Sequence, residues 1–199
     1  MDLVDLHSRS ALDDAVETMR RFQAPWGVAG GWAIELLVNQ RLRRHADIDV
    51  AILRAHQSRL WTDLEPNAVQ VVIDGALRTW DASDWIPPPI HEVHLGWANG
   101  SRLEILLNEH DSTSDEWIYR RNDRVRRELG RVFTRHDGVP CLAPEIVLLY
   151  KSKGPRSHDE ADFTAALLRL SHEEREWLRA ALVASAPGHP WIHHLAVTM

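Results

Sequence analysis

The chain has 199 residues, 44% of them hydrophobic, with 23 basic and 29 acidic side chains and a formal net charge of −6. This length suits one domain, or a small domain with a helical extension, and the apolar content suffices for a core. The negative charge argues against a general nucleic-acid-binding protein, which needs a basic face, and favours a cationic small-molecule partner.

The predicted elements alternate between helices and strands in the first half of the chain and are mainly helical at its end. Apolar periodicity, capping boxes and a first-turn proline predict helices at 11–22, 32–38, 56–64, 144–151, 158–169 and 172–184. Alternating or β-rich segments predict strands at 47–53, 69–73, 91–97, 102–107, 132–134 and 139–142. Asn99-Gly100, as a type I′ turn, and Asp137-Gly138 would close two hairpins. We therefore expect an α+β fold whose character changes somewhere in 110–143.

Other features bear on the surroundings of the protein. The single cysteine, Cys141, cannot form an internal disulfide, which is typical of a reducing compartment. The N-terminal segment lacks the regions of a signal peptide, and no apolar run approaches the length of a membrane span. We therefore expect a cytoplasmic protein with no membrane partner. The sequence leaves open whether it is a monomer or a homodimer.

The strongest chemical feature is Asp47-Ile48-Asp49, in a predicted strand. Residues two apart on a strand point to the same face, so both carboxylates would face one site while Ile48 faces the core. Two like charges so close repel each other unless a cation offsets them, and Mg²⁺ binds carboxylates together with substrate phosphates. An acidic-x-acidic pattern also arises by chance on solvated surfaces, so other features must support a metal site.

Three neighbouring features support such a site. Gly30-Gly31 before a helix would let the backbone approach a phosphate, or would form an ordinary strand-to-helix turn. Glu104 is a lone charge in an apolar strand, and it would add a third carboxylate if that strand neighbours the aspartates; otherwise it faces solvent on an edge hairpin. Arg43-x-His45 would position phosphates or form a basic loop.

Charged residues later in the chain are open to two interpretations. Of the 23 basic residues only two are lysines, Lys151 and Lys153. Either lysine occurs only where the chemistry of its amine is needed, or this composition arose by chance. The arginine-rich stretch at 120–135 would hold phosphates or the end of an RNA, or would form a solvated face. Asp159 and Asp162 lie near a helix start, where capping and the helix dipole explain them.

Together these residues resemble the DNA polymerase β-like nucleotidyltransferase superfamily, whose signature is Gly-Gly or Gly-Ser, a helix, Asp-x-Asp and a third carboxylate on a later strand. Here the signature reads Gly30-Gly31-Trp32-Ala33, Asp47-Ile48-Asp49 and Leu103-Glu104-Ile105. The motif is most similar to the aminoglycoside 2″-adenylyltransferases and the lincosamide nucleotidyltransferases, and the similarity continues through Leu149-Tyr150-Lys151. The sequence departs from the superfamily in the fifteen residues between the Gly-Gly and Asp-x-Asp motifs and in its glutamate as third carboxylate.

The resemblance implies a nucleotidyltransferase fold, a small mixed sheet flanked by helices. It implies a catalytic domain at 1–110 and a mainly helical region at 111–199 that completes the nucleotide and acceptor cleft. The implied reaction moves a nucleoside monophosphate, expected to be AMP, from ATP or another NTP to a hydroxyl of a small molecule such as an aminoglycoside-type antibiotic. Asp47, Asp49 and Glu104 would be catalytic and would bind two Mg²⁺ ions, with Glu104 also accepting a proton.

The resemblance also implies a set of residues that bind the nucleotide. These residues are Gly30, Gly31, Arg43, His45, Lys151 and Lys153, of which Lys151 is expected to close over the triphosphate. Two other functions stay open. One is a toxin or regulator that nucleotidylates tRNA or a protein, served by the stretch at 120–135, and the other is a catalytically silent nucleotide-binding protein.

Overall fold

A computed structural model describes residues 9–81 and 84–196. Within these residues the chain forms a ten-stranded mixed sheet flanked by α-helices. The helices are α1 (Arg9–Met19), α2 (Gly30–Val38), α3 (Arg59–Leu64), α4 (Pro144–Lys151), α5 (Ser157–Leu167), α6 (His172–Ser185) and α7 (Trp191–Ala196). The strands are β1 (Trp26–Val28), β2 (Asp49–Leu53), β3 (Ala68–Ile73), β4 (Ala76–Thr79), β5 (Glu92–Gly96), β6 (Arg102–Asp111), β7 (Glu116–Ile118), β8 (Arg126–Glu128), β9 (Phe133–His136) and β10 (Val139–Leu142). The predicted α+β class is confirmed, although β1, β4, β7, β8 and α7 were not among the predicted elements.

The sheet has the strand order β4-β3-β5-β6-β2-β1-β10-β9, with β7 and β8 extending from β6. Strand β2 pairs in parallel with β6 and antiparallel with β1. Strand β10 pairs in parallel with β1 on its other side. This order brings three segments together: the start of β2, the middle of β6 and the turn from β1 into α2.

Burial differs between the centre of the sheet and the strands on the β5 side. On β2, Val50, Ala51 and Ile52 are fully buried, so both faces of this strand are covered. On β6, Ile105 is fully buried while its neighbour Glu104 is half-buried. Burying one such aliphatic side chain contributes about 1.5–3 kcal/mol to the stability of the fold. A shift of the strand register by one residue would turn all of these apolar side chains to the other face of the sheet. The register is therefore strongly specified, and one face of β5 and β6 stays accessible.

The second half of the chain shares the sheet with the first half. The domain boundary predicted after residue 110 falls inside β6, and the strands from β7 to β10 lie beyond it. The predicted helix at Pro144 is observed as α4, with the proline in its first turn. Across the described ranges, no helix is both long and apolar enough to cross a bilayer.

The two hairpin turns differ in geometry. A type I′ turn needs two successive residues with positive φ. Asp137 and Gly138 have φ values of 51° and 75°, so the turn between β9 and β10 meets this requirement. Between β5 and β6, Gly100 has a φ of 87° but Asn99 has no positive φ. The predicted type I′ turn at Asn99-Gly100 is therefore wrong, and a longer loop joins β5 to β6.

Candidate active site

Asp49 and Glu104 lie side by side in the centre of the sheet. Asp49 begins β2 and is the direct partner of Glu104 in the parallel ladder between β2 and β6. The Glu104 backbone N–H donates to the carbonyl oxygen of Ile48 at 3.2 Å, which fixes the register at this point. Side chains of directly paired residues share one face of the sheet. The structure thus brings these two predicted site residues together.

Asp47 precedes β2, although the sequence placed it within the strand. Its side chain is exposed, and its negative charge raises the pKa of both Asp49 and Glu104. Asp47 therefore lies near the carboxylates of Asp49 and Glu104. We call Asp47, Asp49 and Glu104 the acidic cluster.

The carboxylates of the acidic cluster repel each other. Burial, followed by the charges of Asp47 and Glu104, raises the pKa of Asp49 from 3.8 to about 7. Burial and Asp47 also raise the pKa of Glu104, while the neighbouring His94 lowers it. Carboxylates in this situation favour a proton or a cation. Mg²⁺ is bound by one or two carboxylates together with substrate phosphates, so the oxygen ligands of this cluster have the chemistry that a divalent ion needs.

Gly30 allows the start of α2 to approach Asp49. Its φ of 59° is in the left-handed region, which glycine adopts readily, and a Cβ here would collide with the Asp49 carboxylate. The Ala29 N–H also donates to the Asp49 carbonyl oxygen at 2.8 Å. The N-terminus of α2 is therefore held against the acidic cluster, where its N–H groups favour phosphate.

Arg43 and His45 lie against the first turn of α2. A Cβ at Gly31 would collide with both side chains. The buried Glu35 accepts hydrogen bonds from the N–H groups of Leu42 and Arg43, both at 2.9 Å, and its Oε1 lies 2.9 Å from His45 Nε2. Burial lowers the pKa of His45, and the bond to Glu35 opposes that effect. These contacts hold the loop between α2 and β2, while phosphate binding by Arg43 and His45 stays a prediction.

Lys151 lies at the end of α4, between two aspartates of α5. Its Nζ is 2.8 Å from Asp159 Oδ1 and 2.8 Å from Asp162 Oδ2, and the lysine side chain is only 10% exposed. Arg43 Nη2 lies 3.5 Å from the same Asp162 oxygen. We call Lys151, Asp159, Asp162 and Arg43 the lysine cluster. Burial acts to raise the pKa of Asp159, but the hydrogen bonds from Lys151 and Arg156 outweigh this effect and lower the pKa from 3.8 to about 2.

The lysine cluster extends the sequence interpretation of Asp159 and Asp162. Asp159 does accept the Arg156 N–H at 3.0 Å as part of a capping box, as predicted for a helix start. Both aspartates also hold Lys151, which the sequence did not indicate. Lys151 is therefore already paired, whereas Lys153 is exposed.

A cavity of about 320 Å³ lies between the acidic cluster and the lysine cluster, and we call it the central cavity. Its basic lining residues are Arg121, Lys151, Lys153 and Arg156, and its lining also includes Gly30 and Asp49. Lys151 is close enough to lower the pKa of Asp49. A concave site lined by several cations beside a helix N-terminus suits a polyanion such as a triphosphate.

Glu92 and His94 flank Glu104 on the side away from Asp49. His94 is the direct partner of Glu104 in the antiparallel ladder between β5 and β6. Its Nδ1 lies 3.7 Å from Glu104 Oε1, and its Nε2 lies 2.8 Å from Glu92 Oε1. One ligand atom from each of Glu92, His94 and Glu104 falls within a 4.8 Å group that could hold a metal ion.

The arginine-rich stretch at 120–135 contains several ion pairs. Arg127 Nη2 lies 2.7 Å from the buried Glu145, and Arg131 Nη1 lies 2.5 Å from Glu173. Arg126 lies 3.2 Å from Asp111. These pairs neutralise part of the positive charge that an RNA would need.

Comparisons with known proteins agree with this geometry. The profile of the family described as aminoglycoside-2″-adenylyltransferase matches residues 11–166. A search of the curated proteins finds no match.

Solved structures share the fold at low sequence identity. The lincomycin-bound lincosamide antibiotic adenylyltransferase LnuA is 18% identical, with a TM-score of 0.54 over 79% of this chain and 95% of that one. The solution structure of the antibiotic-resistance factor ANT(2″)-Ia is 16% identical, with a TM-score of 0.58 over 96% and 99%. ANT(2″)-Ia in complex with adenylyl-2″-tobramycin is 17% identical, with a TM-score of 0.53 over 86% and 94%.

The family match covers most of the chain and includes the Gly30-Gly31 turn, the acidic cluster and the lysine cluster. The suspected resemblance is therefore confirmed. The chain belongs to the aminoglycoside-2″-adenylyltransferase family of antibiotic-modifying nucleotidyltransferases.

Proposed function

We propose that this protein transfers AMP from ATP to a hydroxyl group of an aminoglycoside, with the help of Mg²⁺. The observation that carries the proposal is the pairing of Asp49 with Glu104 beside a cavity lined by cations. The acceptor class is supported by the family match and by ANT(2″)-Ia, which was solved with adenylyl-2″-tobramycin. LnuA, solved with lincomycin, supports a lincosamide as the second acceptor to test.

The acidic cluster would act at the transferring phosphoryl group. Asp47, Asp49 and Glu104 would hold Mg²⁺, which would supply positive charge to stabilise the transferring phosphoryl group. Glu104 accepts the proton of the acceptor hydroxyl, as a general base does. The hydroxyl oxygen then bonds to the α-phosphorus of ATP, and the bond from that phosphorus to the oxygen bridging to the β-phosphate breaks. The electron pair of that bond leaves with pyrophosphate.

The central cavity would hold the triphosphate. Gly30 lets backbone N–H groups at the start of α2 come close to phosphate oxygens. Lys153 and Arg121 supply positive charge that stabilises the negative charge developing on the leaving pyrophosphate. Lys151 adds a charge whose position is fixed by Asp159 and Asp162.

The experiment that tests this function combines the protein with Mg²⁺, each of the four common NTPs, and tobramycin, lincomycin or bulk tRNA. Mass spectrometry then identifies any nucleotidylated product. We expect adenylylated tobramycin with ATP, and transfer slower by on the order of 10³-fold in Asp49→Asn. The matched control is Asp115→Asn, because Asp115 is an exposed residue at a positive φ that asparagine also tolerates. A product on tRNA alone, or equal transfer by Asp49→Asn, contradicts the proposal.

A further inference from the structure

A second cavity opens on the face of the sheet that carries Glu104. It has a volume of about 240 Å³, and we call it the outer cavity. Its lining includes Gln70, Leu77, His94, Gly96 and Arg102, all within the described part of the chain. The central cavity includes Asp49 and not His94, whereas the outer cavity includes His94 and not Asp49. Glu104 lies between Asp49 and His94 in the sheet, so it stands between the residues that line the two cavities.

Strand pairing connects the outer cavity to the acidic cluster. Asp49 pairs with Glu104, Glu104 with His94, His94 with Gln70, and Gln70 with Thr79. Since directly paired residues share a face, these five side chains form one row across five strands, and we call it the polar row. Every member is at least partly exposed. The row leads from the acidic cluster into the outer cavity.

The chemistry of phosphoryl transfer decides which substrate can lie on each side. The attacking and leaving oxygens lie roughly in line on opposite sides of the phosphorus. The cations and the Gly30 turn lie on the side of the central cavity, so the pyrophosphate leaves there. The acceptor hydroxyl must then approach from the other side of the acidic cluster, where the polar row continues.

We propose that the outer cavity and the polar row form the acceptor subsite, and that they bind a polyhydroxylated amine. This inference rests on the proposed function and adds to it the residues that select the acceptor. Gln70 and Thr79 offer hydrogen bonds to hydroxyl groups, and Leu77, 49% exposed, offers an apolar surface to a sugar ring. Glu92 and Glu104 border this region with two carboxylates, which attract ammonium groups.

Gly96 leaves the floor of the outer cavity bare and provides the test. A Cβ at this position would meet only Ala68 Cβ, at an ordinary 3.8 Å, so a larger side chain fits the backbone and fills the cavity. Valine also favours strands. The matched control is Gly130→Val, because a Cβ at Gly130 meets nothing within 4 Å and this residue does not line either cavity.

The first measurement compares steady-state constants for tobramycin and ATP. In Gly96→Val we expect the KM for tobramycin to rise about tenfold or more while the KM for ATP stays within about twofold, since a steric block acts only on the acceptor. Gly130→Val should match the unsubstituted protein. Gln70→Ala, which removes one hydrogen-bonding group without filling space, should raise the same KM by a smaller factor.

The second measurement is a titration followed by amide chemical shifts. Tobramycin alone, without ATP or Mg²⁺, should shift the amides of Gln70, His94 and Gly96. ATP with Mg²⁺ should instead shift the amides of Gly30 and Lys153. Because this readout needs no turnover, it separates acceptor binding from the reaction.

The outcomes distinguish this inference from the proposed function. If tobramycin is adenylylated but Gly96→Val keeps its KM, or the tobramycin shifts fall outside the outer cavity, the subsite is wrong and the proposed function stands. If tobramycin neither binds nor reacts, both are overturned. If Gly96→Val does not fold, the KM of Gln70→Ala for tobramycin and the amide titration decide between these outcomes.

Discussion

The acidic cluster and the lysine cluster both contribute residues to the lining of the central cavity. The pKa of Asp49 in the first cluster and the pKa of Asp159 in the second are shifted in opposite directions. In the acidic cluster, burial and neighbouring carboxylates raise the pKa of Asp49 to about 7. In the lysine cluster, Lys151 and Arg156 more than offset the effect of burial and hold the pKa of Asp159 at about 2. Within residues 9–81 and 84–196, no lysine or arginine forms an ion pair with Asp49 or Glu104, whereas Lys151 pairs with Asp159 at 2.8 Å.

This difference indicates which carboxylates are available to a ligand. Nζ of Lys151 lies 2.8 Å from oxygens of both Asp159 and Asp162, so an ion pair within the fold offsets these negative charges. The acidic cluster gains most from a cation brought from solution. The lysine cluster therefore supports the cavity, and the acidic cluster is the place where metal and nucleotide chemistry is expected.

The largest expected effect is the loss of transfer in Asp49→Asn. We expect kcat/KM to fall on the order of 10³-fold, because the site loses charge stabilisation at the transferring phosphoryl group. Without metal, this variant should also unfold at a higher temperature than the unsubstituted protein, since one repelling charge is gone. Activity assays and thermal unfolding in EDTA check both results, and Asp115→Asn should change neither. A less stable Asp49→Asn would break the comparison between the clusters.

Glu104→Gln should have the next largest effect. As the proposed general base, Glu104 contributes to the proton-transfer step, so kcat should fall by about 10²-fold. The affinity for ATP with Mg²⁺ should fall by a much smaller factor. Single-turnover rates and nucleotide titration separate the two quantities. Lost nucleotide binding with normal turnover would assign Glu104 to binding alone.

Asp162→Asn should act on stability. Asp162 is fully buried and its Oδ2 forms an ion pair with Lys151, so the free energy of unfolding of the protein should fall by about 3 kcal/mol, since removing one partner of a buried ion pair is strongly destabilising. Chemical denaturation measures the change. A double-mutant cycle with Lys151→Met shows whether the loss belongs to this pair, in which case the two effects are not additive. Additive effects would mean that the lysine cluster is not a unit.

The smallest expected effect is on the pH dependence of the metal-free protein. Because the folded pKa of Asp49 is raised to about 7, its protonated form stabilises the fold below about pH 4, and this contribution is lost as the pH rises through 7. The folded pKa of Asp159 is lowered to about 2, so its contribution is present above about pH 4 and is lost as the pH falls through 2.

Unfolding free energies measured in EDTA across this pH range check the two opposite slopes. Asp49→Asn should remove the decline near neutral pH, and Asp159→Asn should remove the decline in acid. If Asp49→Asn leaves the neutral slope unchanged, the acidic cluster is not the source of the repulsion.

Sequence patterns predicted much of the acidic cluster. Asp47-x-Asp49 and Glu104 stand out because charges interrupt apolar strands, and Gly30-Gly31 precedes a helix. The pairing of β2 with β6 could not be read from these patterns, because it depends on which strands become neighbours in the sheet. The position of Asp47 outside β2 depends in turn on where that pairing begins.

The neighbourhood of Glu104 shows how a turn controls a site. A two-residue turn at Asn99-Gly100 would have paired His94 with Ile105, whereas the observed loop pairs His94 with Glu104. This one-residue difference moves side chains to the opposite face of the sheet. His94 and the outer cavity could therefore not be predicted once the turn type was wrong.

The partners of Lys151 were hidden for a different reason. Asp159 caps α5, which accounts for its place at a helix start, and Asp162 lies further along the same helix. Their contacts with Lys151 depend on how α5 packs against α4, which is a tertiary arrangement. Glu35 is a similar case, since a lone glutamate in an apolar helix gives no sign of the loop it holds.

The central claim is that the acidic cluster, and not the lysine cluster, binds the metal ion that supports nucleotide transfer. Titration of Mn²⁺ with ATP, followed by electron paramagnetic resonance, tests it on the folded protein and on Asp49→Asn and Asp159→Asn. We predict that the unsubstituted protein and Asp159→Asn bind Mn²⁺, while Asp49→Asn loses that binding. Retained binding in Asp49→Asn, or loss confined to Asp159→Asn, would contradict the claim.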